Sequence, residues 1–510
     1  MNIGNILPHH ARFRPDRTAL ICGDQRLTYS ELNQSVNQIA NAIRTSGIRK
    51  GDKIAMLLPN CRELWELYWA IAKLGAVSVP LSPLLRGNGL RNQLNNADTA
   101  LLVTTESVAT YLDPIFDTLR LCHNDVWLTD AEEHHCYDSF YRHKHRASDE
   151  EPPEADIHSD DLYNIIYSSG TTGEPKGIMH THRVRAAYMT LFSSYYRMTP
   201  ECVVLHSGSI IFNGSFLTTM PVMFLGGTFI LHENFDVENL VRTIKEEGVT
   251  HTMLVPSQIA AALEHADFTG EHIASLEMIL SVGAPLHQKY KEEINRRIPG
   301  AFYELYGLTE GFVTILDKTD FHKKPGSVGC PPQFFDMRIV DDEGRDLPPG
   351  EVGEIVGRGP ILMAGYYKDP MRTRDAIKDG WLHSGDLGYV DEDGYLFLVD
   401  RKKDMIISGG VNIYPKDIEE VVIEHPDVQE VAVFGVPDES WGEALVAAVV
   451  LKPPSGARSD ELKSWVNDRV DARFHKLKAV YIMANFPRNV AGKTLKREIK
   501  RQYLESEQCP

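Results

Sequence analysis

The stretch Tyr167-Ser168-Ser169-Gly170-Thr171-Thr172-Gly173-Glu174-Pro175-Lys176-Gly177 follows an apolar run at residues 162–167. Glycines let backbone N–H groups approach a polyphosphate closely. Ser168, Ser169, Thr171 and Thr172 add hydroxyl donors, and Lys176 adds a positive charge. The loop therefore suits the phosphates of a nucleotide such as ATP. It is not the G-x-x-x-x-G-K-[ST] loop, because Gly177 follows Lys176 where that pattern needs a hydroxyl. A strand feeding such a loop belongs in a layered α/β domain, and the flanking sequence agrees. Residues 30–45 place Leu32, Val36, Ile39, Ala40 and Ile43 at helical spacing. Residues 53–58 and 76–81 read as strands on either side of a helix at 63–74, a βαβ rhythm. The alternation resumes from residue 162 to about 316.

Between these blocks, residues 132–161 are rich in His, Asp, Glu and Pro, and read as a surface excursion or linker. Their histidines lack any metal-ligand spacing. From 325 to 400, short strand-like pieces at 337–340, 353–357 and 395–399 alternate with Gly, Pro and Asp turns, as in a small β-rich subdomain. A charged cluster follows at 401–404. The tail then reads as compact α/β, with strands near 430–436 and 445–451 and a helix near 459–473. A domain boundary is expected at about residue 400.

Composition excludes several classes. The chain has 510 residues and a net charge of −18, against coating of nucleic acid or a polybasic membrane anchor. Binding of one nucleotide is still allowed. Seven cysteines stand singly, without C-x-x-C, which points to a reducing compartment rather than a disulfide or zinc framework. No apolar run approaches the ~20 residues of a membrane span, and the start has no secretory h-region. A cytoplasmic protein is expected.

Four further segments carry candidate chemistry. They are Tyr303-Glu304-Leu305-Tyr306-Gly307-Leu308-Thr309-Glu310; Trp381-Leu382-His383-Ser384-Gly385-Asp386; Asp400-Arg401-Lys402-Lys403-Asp404 with Ser408-Gly409-Gly410; and Pro487-Arg488-Asn489-Val490-Ala491-Gly492-Lys493-Thr494. With the 167–177 loop, in this order, they resemble the adenylate-forming superfamily: acyl-CoA synthetases, peptide-synthetase adenylation domains and luciferases. The resemblance covers essentially the whole chain. It implies an α/β fold: a large N-terminal domain of layered α/β subdomains plus a small β-barrel-like subdomain, and a small mobile α+β C-terminal domain. The adenylation (AMP-binding) domain would span 1–400 and the mobile domain 401–510.

The implied reaction has two halves. A carboxylate attacks the α-phosphate of ATP to give an acyl-adenylate and pyrophosphate; a thiol then displaces AMP. Ser168, Ser169, Gly170, Thr171, Thr172, Gly173 and Lys176 would hold the phosphates. Glu310 would bind Mg²⁺, and Thr309 would touch the α-phosphate. Gly283, Ala284 and Pro285, with Glu304, Leu305 and Tyr306, would line the adenine pocket. Asp386 and Arg401 would grip the ribose. Lys493 would bridge the substrate carboxylate and the α-phosphate. Lys403 matches the family's hinge, and Ser408, Gly409 and Gly410 would face the pantetheine arm of coenzyme A.

The acyl pocket would be lined from His206 to about Ser215, with Phe212 and Asn213 in it, and His206 resembles the family's catalytic-site histidine near the carboxylate end of the substrate. Amino-acid adenylation domains usually carry Asp where Asn213 stands, pairing with the substrate ammonium. A neutral residue there disfavours α-amino acids and favours a simple aliphatic or aromatic carboxylic acid. The chain stops soon after Lys493 with no carrier-protein serine motif, so a free-standing ligase using soluble CoA is expected. The alternative is a stand-alone adenylation enzyme loading a carrier protein. A regulatory protein that lost catalysis is disfavoured, because Lys176, Glu310, Asp386, Arg401 and Lys493 are all present, and no motif demands light emission. The partners implied are a small carboxylic acid, ATP and CoA, with no nucleic acid and no integral membrane span; a homodimer is left open.

Overall fold

The computed structural model describes residues 2–168, 176–401, 405–408, 411–438, 441–470, 475–488 and 494–508. The chain forms two compact units. The first holds residues 1–323, 331–336 and 358–382; the second holds 324–330, 337–357 and 383–510. Among the described residues no helix is long and apolar enough to cross a membrane.

Two eight-stranded sheets build the first unit. In one, the parallel strands Phe302–Leu308, Met278–Val282, His251–Leu254, Val203–His206, Thr228–Leu231 and Thr18–Cys22 lie in that order, between antiparallel edges Phe312–Leu316 and Gln25–Thr28. In the other, Leu162–Ser168, Val77–Pro80, Lys53–Leu57, Thr99–Thr104, Val126–Leu128 and Asp138–Ser139 run parallel. Lys176–Thr181 and Gly365–Tyr366 close that sheet antiparallel at one edge. Parallel strands covered on both faces read as near-continuous apolar runs, and Ile54, Ala55, Met56 and Leu57 are all buried.

The helix expected at residues 30–45 is Tyr29–Thr45. Thr28 caps it reciprocally with Glu31, so the first turn satisfies its own backbone donors. The helix expected at 63–74 is Arg62–Leu74, ended by Gly75 at φ 65°. It carries Trp65, Tyr68 and Trp69, all buried. Trp65 packs on Phe229 at 4.7 Å and Tyr68 on Phe216 at 5.3 Å between ring centroids, tying this helix to elements of the other sheet.

The 132–161 segment differs from its reading as a plain surface excursion. Phe140–Arg146 is a short helix, capped by Ser139, with Phe140 and Lys144 buried. Lys144 reaches Glu66, and Glu151 further on reaches Lys73. Its charges pin the segment down, where composition suggested only solvation.

In the second unit, Asp336–Val340, Gly353–Arg358, Trp381–Val390 and Leu396–Arg401 form the expected short-strand region, with tight turns at Gly344 (φ 79°) and Gly394 (φ 82°). The tail is a sheet of Val411–Ile413, Ile406–Ser408, Gly442–Leu451 and Val428–Asp438, with Leu477–Met483 added parallel to Gly442–Leu451. The helix expected at 459–473 is shorter, Ser459–Asn467. Asn467 exchanges side-chain hydrogen bonds with the backbone of Leu477, which competes with continuing the helix.

Candidate active site

Two adjacent parallel strands, Met278–Val282 and Phe302–Leu308, deliver the segments around Gly283 and Thr309 from their carboxyl ends. In open α/β sheets that edge is where ligands bind. Gly283, Ala284 and Pro285 are exposed there, and Gly283 has φ 95°. Tyr306, Thr309 and Glu310 are half-buried. Gly311 closes the turn at φ 112°, and a Cβ there would come within 2.1 Å of the Ile361 carbonyl oxygen. Only glycine fits, so the turn that presents Thr309 and Glu310 is fixed by backbone contact. The Met363 N–H donates to the Glu310 carbonyl at 2.8 Å.

Strands Leu162–Ser168 and Lys176–Thr181 pair so that Ser168 lies opposite Lys176. The loop residues between them, Ser169, Gly170, Thr171, Thr172 and Gly173 among them, lie outside the described residues. The Lys176 ammonium sits 5.2 Å from the Tyr366 ring centroid, and the Tyr366 hydroxyl donates to Glu310 Oε1 at 2.8 Å. One aromatic side chain thus joins the loop lysine to the carboxylate assigned to magnesium. Burial and the neighbouring Glu310 carboxylate push the Tyr366 pKa up, so it stays a donor. No motif announced Tyr366. Glu310, joined through Tyr366 to Lys176, is a carboxylate that fits Mg²⁺, which takes most of its other ligands from water and phosphate.

Behind Thr309 lies a polar network inside the protein. Arg185, on the helix His182–Tyr195, has no exposed surface. Its Nε donates to Asn164 Oδ1 (2.8 Å), Nη1 to Asn213 Oδ1 (2.9 Å) and Nη2 to His180 Nδ1 (3.2 Å). Arginine can only donate, so His180 Nδ1 accepts and Nε2–H donates to the Thr309 carbonyl at 2.8 Å. Burial and the adjacent guanidinium hold the His180 pKa well below the usual imidazole value, so it is neutral. Asn213 Nδ2 donates in turn to the Tyr188 hydroxyl at 2.9 Å. Thr309 and Asn213, assigned to the two substrates, are joined through Arg185 and His180. Sequence reasoning missed both; the available signal was the clustering of basic side chains at a strand-to-helix junction, His180-Thr181-His182-Arg183-Val184-Arg185.

His206 ends its parallel strand and is fully buried. Among the described residues neither ring nitrogen has a hydrogen-bond partner of good geometry. Burial lowers its pKa to about 4, against a small opposing effect of the Ser209 backbone. Asn60 pins the turn that follows, donating to Gly208 and His232 carbonyls and accepting from Ile210 N–H. Phe212 is half-buried and Asn213 buried. Glu304 and Leu305 are buried in their strand, and the Glu304 carboxylate pairs with Lys291 at 2.5 Å.

In the second unit, Asp386 and Arg401 are cross-strand partners, with Arg401 Nε 3.3 Å from Asp386 Oδ1. Ser408 is buried opposite Val411. Lys403, Gly409, Gly410 and Lys493 lie outside the described residues.

The chain matches the family model "AMP-binding enzyme" over residues 7–367 and the model "AMP-binding enzyme C-terminal domain" over 417–493. It is 35% identical to a feruloyl-CoA synthase of Amycolatopsis sp, covering 98% of this chain and 99% of that one. It is 33% identical to the long-chain-fatty-acid–CoA ligase FadD13 of Mycobacterium tuberculosis, covering 98% of each. The solved anthranilate CoA ligase AuaEII, in complex with anthranoyl-AMP, superposes with TM-score 0.91 at 25% identity, over 100% of this chain and 98% of that one.

Proposed function

The chain belongs to the AMP-binding enzyme family, within the acyl-CoA ligase branch of the adenylate-forming superfamily, and from that premise we propose the following residue roles. The enzyme is an ATP-dependent carboxylic acid–CoA ligase of the AMP-forming kind. It makes acyl-AMP and pyrophosphate from ATP and the acid, then acyl-CoA and AMP. In the first half an anion attacks an anion, so positioning and charge neutralisation supply most of the rate. Lys176 and the residues around it hold the phosphates. Mg²⁺, when bound, neutralises phosphate charge, and Glu310 is the carboxylate that would hold it, oriented by Tyr366. Thr309 meets the α-phosphate, its carbonyl fixed by His180. Gly283, Ala284 and Pro285 with Tyr306 border the adenine. Asp386 and Arg401 take the ribose hydroxyls. Lys493 bridges carboxylate and α-phosphate.

The observation that carries this reading is the meeting of Lys176, Tyr366 and Glu310 beside the fixed turn at Gly311. The acid is aliphatic or aromatic, as in the feruloyl and long-chain fatty acyl relatives. Asn213 supports this exclusion of α-amino acids doubly: it is neutral, and it accepts from the Arg185 cation, which would repel an ammonium. The domain boundary near residue 400 and the hinge at Lys403 belong to the same reading, with Ser408, Gly409 and Gly410 serving the thiol step. The six cysteines among the described residues are free, which supports a cytoplasmic setting.

The test is acid-dependent release of pyrophosphate from MgATP, with CoA or a phosphopantetheinyl carrier protein as acceptor. CoA-dependent AMP release is expected; transfer to the carrier protein alone would replace CoA as acceptor. Lys493→Ala is expected to slow adenylation about 10²–10³-fold, by analogy with loss of one oxyanion donor, while sparing thioesterification of supplied acyl-AMP. Equal loss of both half-reactions would contradict its role.

A further inference from the structure

We propose that Arg185 is a specificity residue that recognises a second carboxylate on the acid substrate, remote from the carboxylate that is activated. The proposal rests on the reading of residues 206–215 as the acid site. Arg185 is completely buried, and its partners among the described residues are neutral: Asn164, Asn213, His180, and the rings of Tyr188 and Phe216 at 4.8 and 4.3 Å. Among the described residues no carboxylate forms an ion pair with it. A buried cation without a counter-anion is costly, and arginine does not shed its proton to escape the cost.

The network is directional. Asn164 and Asn213 turn their carbonyl oxygens to Arg185, and their amide groups face away, toward His180 and the Tyr188 hydroxyl. That hydroxyl accepts from Asn213 and keeps its own hydrogen for an acceptor. All these groups hold the guanidinium in place, and none neutralises it. Asn213 lies in the acid-site stretch, so the charge is anchored one hydrogen bond from that stretch. The positive charge and the donor array both call for an anion with paired oxygens, which a carboxylate supplies. The acid would then be a dicarboxylate, aromatic or aliphatic, whose far end reaches Arg185 while its near end meets ATP.

The experiment compares kcat/KM for matched acids in the wild-type enzyme, with MgATP and CoA. The acids are cinnamate with para-carboxycinnamate and para-hydroxycinnamate, and hexanoate with adipate. Wild type is expected to prefer the dicarboxylate of at least one series by about 10²-fold, the usual scale for a buried charge pair. Arg185→Met should erase that preference, lowering kcat/KM for the dicarboxylate about 10²-fold more than for its matched monocarboxylate; Arg185→Lys should keep part of it. A wild-type preference for monocarboxylates or the hydroxy acid would overturn the proposal without any variant. An equal loss on all acids in Arg185→Met would mean that Arg185 only supports the fold. Phe212→Ala separates the two readings. If it alters KM across the acids while Arg185→Met shifts none selectively, the pocket stands and the proposal falls. If neither variant alters any acid KM, the pocket reading itself fails and takes the proposal with it.

Discussion

Lys144 and Arg185 are both buried cations in the N-terminal unit, and they are solvated by the protein in opposite ways. Lys144 meets the Glu66 carboxylate at 3.1 Å, and Glu66, with no exposed side-chain surface, also takes Arg62 at 2.6 Å and the Ser35 hydroxyl at 2.5 Å. Lys73 likewise meets Glu151 at 2.7 Å. Arg185 meets amides, an imidazole and two rings. A cation that holds the fold needs its counter-ion in the same chain, because the pair must exist whenever the chain is folded. A cation that waits for an anionic ligand has no carboxylate of its own chain beside it. The first arrangement clips residues 140–151 onto the helices Tyr29–Thr45 and Arg62–Leu74; the second sits between the Thr309 turn and Asn213.

The contrast is sharpest at Glu66. Glu66→Gln strands a buried ammonium and is expected to cost about 3–5 kcal/mol of stability, read by denaturant unfolding, with specific activity of the folded fraction retained. A cost under 1 kcal/mol would show that the pair does not hold the fold. Protonation probes the uncharged side of the same unit. Burial depresses the His206 and His182 pKa values to about 4 from 6.5. The unfolded chain therefore binds more protons between these values, so the stability linked to these histidines is complete above pH 6.5 and is lost as pH falls through 4. Each contributes about 3 kcal/mol. His206→Asn should flatten the stability profile between pH 6.5 and 4; an unchanged slope would mean that His206 is not held neutral by burial.

Arg185→Met orphans two buried amide acceptors at about 1–3 kcal/mol each but also removes a buried charge that has no counter-ion, so its net cost is expected to fall below that of Glu66→Gln. A loss as large as that of Glu66→Gln would erase the distinction. Glu151→Gln should cost least, about 1 kcal/mol, since its carboxylate is half exposed and screened.

What the sequence made legible follows the same division. The Ser/Thr/Gly loop, most of it outside the described residues, stands out because its residue types suit phosphates, whereas Thr309-Glu310 stands out only through the resemblance that five ordered segments carry together. The helix Tyr29–Thr45 was readable from apolar periodicity and the Thr28/Glu31 cap. Tyr366 was not, because its partner Glu310 is 56 residues away and an ordinary tyrosine carries no pattern. Arg185 and Lys144 were not, because a single charged residue looks solvated until packing shows what surrounds it. The helix expected at 459–473 was read too long because Asn467 bonds to the backbone of Leu477, ten residues on, which periodicity alone does not reveal.

The most direct test of the account is AMP release by the wild-type enzyme from MgATP, with each matched mono- and dicarboxylic acid, with and without CoA. The account predicts CoA-dependent AMP, equimolar with pyrophosphate, favouring an acid with a second carboxylate. Absence of acid-dependent pyrophosphate, or turnover indifferent to the second carboxylate, would contradict it.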